Sequence, residues 1–460
     1  MSAYKFFNKA FTKKSLVKTY QKHVEESTAV GLDKIGRDKF REEYLEQIKI
    51  IRRKALNNSY SFTPYKKKLI SKGEHKNPRA ISIPTIRDRI TLRSLCNVLS
   101  QVFKDDLSIE IPQVKIQSIN SNIKKDKFES YIKIDVSNFY PTIDHDILFS
   151  FLRKKIRKKQ LLALIEKSVK NVTVNKSKKE KIDPNDTGVP QGLSVSNILA
   201  EIYLSDIDKK YKKKADIFFT RYVDDILIFC SEKEVDKLFD EIKQDFENIK
   251  LTIHELNKKK SKSQSGKITD EIHFLGYRYS DRKTSIIQKN KQKFEDSTAN
   301  ILTTFRYKYE KYIDDTKKGK YVTGNPLKVL EWRLNLKITG CIFENKKRGW
   351  MFYFSQIEDL KTLYSIDKTI KKLVSRFCSE DIHLKNLVKT FHETSRLNVS
   401  SHKYILNFDN LTASEKRNIL EMYLGLDRLR WANDEQIHGL FGMRISQIIK
   451  EHEQDIGTVS

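Results

Sequence analysis

The chain has 460 residues, with 89 Lys and Arg against 60 Asp and Glu and a formal charge of +29. Its 38% hydrophobic content supports a sizeable core and excludes a disordered chain, while no apolar run approaches the ~20 residues that span a bilayer. So large a basic excess favours a polyanionic partner, because each neutralised phosphate releases condensed counterions. Cys96, Cys230, Cys341 and Cys378 lie far apart with no CxxC pair, which argues against a disulfide framework or a zinc knuckle. Met1-Ser-Ala-Tyr-Lys lacks the apolar core of a signal peptide, so a reducing cytoplasm is the expected location, with no membrane partner.

In chain order, apolar spacing predicts helices over 38–56 and 86–104. Between them, Tyr65 to Pro84 reads as two short strands joined by a basic loop that carries Lys72 and Arg79. A β-rich run, Tyr131-Ile-Lys-Ile-Asp135-Val-Ser-Asn-Phe-Tyr140, places an aspartate just before two aromatic residues. Gly188-Val-Pro-Gln191-Gly192 precedes a helical pattern that starts at Ile198, and glycine there lets backbone approach a bound base or sugar. Arg-Tyr-Val-Asp-Asp-Ile-Leu-Ile-Phe at 221–229 describes a tight hairpin with carboxylates at its tip. An adjacent acidic pair at a turn is usually only solvated; a third carboxylate in a similar setting, Asp135, changes the balance. Paired in one sheet, Asp135 and Asp224 would hold two divalent cations roughly 3.5–4 Å apart, the arrangement used in phosphoryl transfer. Magnesium suits such hard oxygen ligands. Residues 233–248 read as an amphipathic helix, and helical patterns dominate from about residue 290, broken near Lys317-Lys-Gly-Lys and Asn325-Pro326. Lysine runs at 153–159, 176–181, 209–214 and 258–262 read most simply as solvated faces.

Taken in order, these segments resemble the reverse transcriptase family over about residues 35–280, and more weakly to about 378. The basic hairpin and Ile83-Pro-Thr-Ile-Arg-Asp-Arg89 look like fingers motifs, 132–144 like motif A, 188–199 like motif B and Tyr222-Val-Asp-Asp225 like motif C. Leu256-Asn-Lys-Lys-Lys260-Ser resembles motif D, and Phe274-Leu275-Gly276-Tyr277 the primer grip of motif E. The resemblance implies an α+β right-hand polymerase whose fingers and palm combine an antiparallel sheet with helices, followed by a helical thumb and a helical C-terminal extension. The corresponding divisions are 1–128 for N-terminal helices and fingers, 129–285 for the palm, 286–378 for the thumb and 379–460 for the extension. It further implies that Asp135 and Asp224, supported by Asp225 and the backbone carbonyl of Val136, hold two Mg2+ ions, with Mn2+ as a substitute. Tyr140 would exclude a ribose 2′-hydroxyl, Lys72 and Arg79 would hold the incoming triphosphate, Gln191 and Gly192 would line the nucleotide pocket, and Lys260 would protonate the departing pyrophosphate.

The implied partners are an RNA template, which a cognate noncoding RNA could supply, a DNA product and dNTPs, with homo-oligomerisation left open. Motif B departs from many group II intron relatives, carrying Ser194 and Ser196-Asn197 where those have prolines. The dispersed cysteines cannot build the zinc-bearing nuclease domain that group II intron proteins often carry. The profile is most similar to the abortive-infection and defence-associated bacterial reverse transcriptases, which implies a role against phage. Template-independent or protein-primed DNA synthesis stays open, an RNA polymerase is disfavoured by Tyr140, and a non-catalytic RNA-binding or splicing-helper protein is the alternative from another class.

Overall fold

Strands β1 (Tyr65–Ile70) and β2 (Arg79–Ile83) form the antiparallel hairpin expected of the basic segment, with Ile70 opposite Arg79. The structure is a computed structural model in which residues 2–71, 77–107, 110–175, 185–258, 261–320, 324–395 and 404–456 are described. Lys72, in the connection of that hairpin, lies outside the described residues. Helices Arg37–Leu56 and Ile86–Val102 flank the hairpin in sequence, as the apolar spacing predicts. Thr85 caps the second by accepting from Asp88 N–H, one of the donors that a helix start leaves open.

Strand β3 (Ser130–Asp135) is buried over its first three residues and alternates over its last four. Ile132 and Ile134 are fully buried, whereas Lys133 and Asp135 between and after them keep some exposure. Strand β4 (Thr173–Val174) joins β1 in parallel. Strands β5 (Phe218–Tyr222), β6 (Asp225–Cys230) and β7 (Gln264–Lys267) complete a four-stranded antiparallel sheet with β3, in the order β5-β6-β3-β7. Helix Ser196–Lys212 and helix Val235–Asn248 also belong to this part; the second matches the predicted amphipathic helix, burying Leu238, Phe239, Ile242 and Phe246.

The chain divides into two compact units, Met1–Glu110 with Phe128–Lys267, and Ile111–Lys127 with Ile268–Ser460. The sheets just described lie in the first. The second contains strands β8 (Ile272–Phe274), β9 (Tyr277–Ser280) and β10 (Lys283–Ile286), which form an antiparallel sheet. Helix Gln288–Lys317 follows and ends where the Lys-Lys-Gly-Lys break was expected. Asn325 then caps helix Pro326–Thr339, with Pro326 in its first turn. One feature departs from the helical expectation: β11 (Cys341–Phe343) pairs with β12 (Lys346–Arg348) and with β13 (Leu406–Asn407). Its turn, Glu344-Asn345, has both φ angles positive. That is the backbone of a tight hairpin turn, built here without the glycine that announces one in sequence. A second core, including Phe408, Leu420, Ile437, Phe441 and Ile445, lies in this unit. Both fold-class expectations that concern element types, an α+β chain with an antiparallel palm sheet, match the structure. Among the described residues no helix is long and apolar enough to cross a membrane.

Candidate active site

The sheet register determines which carboxylates meet. Asp135, the last residue of β3, lies opposite Asp225, the first residue of β6. Residues directly opposed in an antiparallel pair share a face with Cβ atoms about 4.5–5.5 Å apart. The hairpin tip is therefore Val223-Asp224, one residue earlier than an Asp-Asp tip, since Tyr222 pairs with Asp225 across it. Val223 sits at φ 57, a left-handed conformation that a β-branched residue adopts only under constraint.

Arg221 supplies a constraint. Its Nη1 donates to Val223 O at 2.7 Å, and its remaining donors engage two carboxylates on helix Ser196–Lys212. Nε and Nη2 reach the two oxygens of Asp208 at 2.8 and 2.6 Å, while Nη2 and Nη1 reach Glu201 at 2.7 and 3.2 Å. Arg221 is 4% exposed. Burial opposes its charge, but Asp208 and Glu201 outweigh that and hold the guanidinium above its ordinary pKa. A planar fork with five donors is the group that can satisfy two carboxylates and a carbonyl at once. The hairpin that carries Asp224 and Asp225 is thereby tied to the helix behind it.

Asp135 is gripped by residues that flank the motif D segment on both sides, His254 before it and Lys262 and Ser263 after it. Its backbone N–H donates to Ser263 Oγ at 3.2 Å, and its backbone carbonyl accepts from His254 N–H at 3.1 Å. Its carboxylate lies 3.1 Å from Lys262 Nζ and 3.3 Å from His254 Nε2. Lys260 lies outside the described residues. The one sign of Lys262 available in sequence was its place beside the motif D segment. Val136 bridges to Ile253 through the flanking bonds Ser137 N–H to Thr252 O and His254 N–H to Asp135 O. The Val136 carbonyl itself takes no part in that bridge.

Main-chain hydrogen bonds join the remaining first-unit residues to this centre. Val189 N–H donates to Tyr140 O at 2.8 Å, Gly188 N–H to Ile143 O at 2.8 Å and Ser82 N–H to Gln191 O at 2.8 Å. Gly188 has φ +84, and a Cβ on it would lie 2.7 Å from Pro141 O; one on Gly192 would lie 2.6 Å from Ile81 Cγ2. Both glycines thus permit close packing of the 188–192 loop, against the Tyr140 turn on one side and strand β2 on the other. Tyr140 OH donates to Asn197 Oδ1 at 2.9 Å. Burial, then Asp224 and Glu201, raise the Tyr140 pKa, while Arg79 and Arg221 oppose the rise; the phenol thus stands in the field of the hairpin's Asp224, the helix's Glu201 and the cation of strand β2. Gln191 Oε1 is buried with no hydrogen-bond partner among the described residues, an acceptor suited to a donor on a bound ligand.

The motif E residues belong to the second unit. Phe274 and Tyr277 pair across a two-residue turn, Leu275-Gly276, with φ 50 and 81. Tyr353 OH donates to Leu275 O at 2.9 Å, and Asn290 Nδ2 would stand 2.5 Å from a Cβ on Gly276.

The carboxylate cluster has the chemistry of a cation site. Asp225 is pushed up to about 6 by burial first and by Asp224 and Asp135, with Lys133 and Lys262 opposing. Like charges directly opposed across a sheet repel, and a divalent ion is the group that would relieve them. Among the described residues no three His, Cys, Asp or Glu side chains form a ready-made metal cage. Magnesium fits that arrangement, since it commonly uses one or two carboxylates and fills its shell with water and substrate phosphate oxygens.

A four-stranded antiparallel sheet sets an aspartate at the end of one strand against acidic residues at a neighbouring hairpin, the arrangement expected from the sequence resemblance. Residues 66–279 match the family described as reverse transcriptase (RNA-dependent DNA polymerase). Protein YkfC of Escherichia coli is 25% identical over 196 residues, covering 39% of this chain and 49% of that protein. The group II intron-encoded protein LtrA of Lactococcus lactis is 26% identical over 170 residues, covering 36% of this chain and 28% of that protein. The chain thus spans half or less of the length of these curated relatives. Among solved structures, apo telomerase from Candida tropicalis superposes with a TM-score of 0.42 at 14% identity, covering 94% of this chain and 75% of that one.

Proposed function

We propose that the protein is an RNA-directed DNA polymerase that adds dNTPs to a primer by two-metal nucleotidyl transfer. The observation that carries this reading is the register that opposes Asp135 to Asp225 beside the Asp224 turn, within a stretch that matches the reverse transcriptase family. Asp135 and Asp224, supported by Asp225 and the Val136 carbonyl, would hold Mg2+ or Mn2+. Bound there, two such ions supply activation of the attacking oxygen and stabilisation of the leaving one.

The chain's own residues do the rest. Arg79 binds the triphosphate together with Lys72, Gln191 and Gly192 line the base and sugar, and Tyr140 fills the space of a 2′-hydroxyl. Lys260 delivers a proton to the departing pyrophosphate, while Lys262 and His254 orient the Asp135 carboxylate. Phe274, Leu275, Gly276 and Tyr277 act as the primer grip. The template is RNA and the product DNA, and the formal charge of +29 supplies attraction to both. Residues 286–378 serve as thumb and 379–460 as an extension.

The test is incorporation of labelled dNTPs on an RNA template with magnesium. Asp135→Ala and Asp224→Ala abolish it while leaving the melting transition in place, and incorporation at the wild-type rate by either variant refutes the assignment. The resemblance to defence-associated enzymes extends the proposal to protection against phage. Plaque counts that do not differ between cells with the wild-type gene and cells with an Asp224→Ala/Asp225→Ala variant remove that role.

A further inference from the structure

We propose that Asn197 is a positioning residue that sets deoxyribose selectivity by holding Tyr140 in place, an inference that rests on Tyr140 acting as the sugar gate. The 188–197 segment takes hold of Tyr140 at two points. The main-chain carbonyl accepts from Val189 N–H at 2.8 Å, and the phenol, at the far end of the side chain, donates to Asn197 Oδ1 at 2.9 Å. Between these points the ring packs against Phe139, with centroids 5.4 Å apart. The backbone bond fixes where the side chain starts, and the Asn197 bond fixes where the ring ends.

Asn197 is the second residue of helix Ser196–Lys212. The helix start is pinned by Ser196 Oγ donating to Pro190 O at 2.5 Å and by Ser196 N–H donating to Leu193 O at 3.1 Å. The same helix carries Glu201 and Asp208, which hold the Arg221 guanidinium and through it the Val223 carbonyl. The acceptor for the phenol and the anchor of the carboxylate hairpin thus share one rigid element. An aromatic ring free to swing would yield to an extra hydroxyl; a ring held at its tip must break a hydrogen bond to do so.

A gate that works by bulk alone and a gate that is held make different predictions. Phenylalanine lacks only the hydroxyl, and Asn197→Ala leaves the whole Tyr140 side chain in place, so a gate of bulk alone should keep its selectivity in Asn197→Ala and nearly so in Tyr140→Phe. A held gate loses its anchor. The experiment is single-nucleotide incorporation on one primer–template, comparing kcat/KM for rNTP with that for dNTP. Tyr140→Phe and Asn197→Ala each raise the rNTP/dNTP ratio by roughly three- to tenfold, the worth of one neutral hydrogen bond. The double variant rises no further than either single one, because both remove the same bond. Asn197→Asp, which keeps an acceptor oxygen, restores the wild-type ratio; a merely structural role for Asn197 would not respond in that pattern. Tyr140→Ala separates the two layers of the reading. If it raises the ratio while Tyr140→Phe and Asn197→Ala do not, the gate stands and the hold is refuted. If Tyr140→Ala leaves the ratio unchanged, the gate itself is wrong and this proposal falls with it.

Discussion

Replacing Arg221 with methionine removes the guanidinium while keeping most of the side-chain bulk. The structure shows what is stranded: five hydrogen bonds are lost, to Asp208, Glu201 and Val223 O. Asp208 is 9% exposed, so its carboxylate is left charged in a poorly solvated place. Breaking one side of a buried ion pair costs about 3–5 kcal/mol. The strained turn adds a separate effect. Val223 at φ 57 stores roughly 1–3 kcal/mol of backbone strain, and without the Arg221 bond its relaxation carries Asp224 away from Asp135. The two effects separate in a triple variant, Arg221→Met/Glu201→Gln/Asp208→Asn, which leaves no stranded charge. Urea unfolding should show the single variant destabilised by about 3–5 kcal/mol and the triple variant recovering most of that loss. Primer extension should be severely reduced in both. A triple variant that regains stability and full activity together would refute the view that Arg221 positions the hairpin.

Asp225 gives a pH signature in the metal-free protein. Its pKa is raised to about 6, so the folded state holds the proton more tightly than the unfolded chain, and stability falls as pH climbs from about 4 through about 6. Asp225→Asn removes that decline, and with chelator present its advantage over wild type should be roughly 1–3 kcal/mol at pH 7.5 and vanish near pH 4; equal advantage at both values would contradict the shift. Gly188→Ala places a Cβ 2.7 Å from Pro141 O at φ +84, so it should cost roughly 1–2 kcal/mol for the left-handed backbone alone and lower the thermal midpoint beyond that through the clash. RNA affinity should drop steeply with salt, with a log–log slope that reports several displaced counterions; a flat response would mean that the lysine excess does not touch phosphate.

The three aspartates were legible because each lies in a short contiguous segment whose strand pattern is local. The single-residue offset of the turn was not. Nothing in Tyr-Val-Asp-Asp places a valine in left-handed backbone, since the reason lies in Arg221 and in two carboxylates 20 and 13 residues upstream. Glu201 and Asp208 are seven apart on one helix face, a spacing that in sequence resembles ordinary surface charge. Lys262 was lost in a run of lysines for the same reason: composition reports solvation on average, and only the fold shows which lysine turns back to Asp135. The 341–348 hairpin went unread because its turn uses Glu344-Asn345 in place of a glycine pair.

The bonds from Ser82 to Gln191, Val189 to Tyr140 and Gly188 to Ile143 are all between peptide groups. Every amino acid but proline carries the donor and every one carries the acceptor, so these bonds themselves do not depend on side-chain identity, even though Gly188 is held to glycine by its backbone and by the space beside it. The spacing of β2, the 188–192 loop and the Tyr140 turn is thereby set by the main chain, while a side chain such as that of Gln191 can change without breaking it. A site framed this way can change the side chains it presents without first having to rebuild its frame.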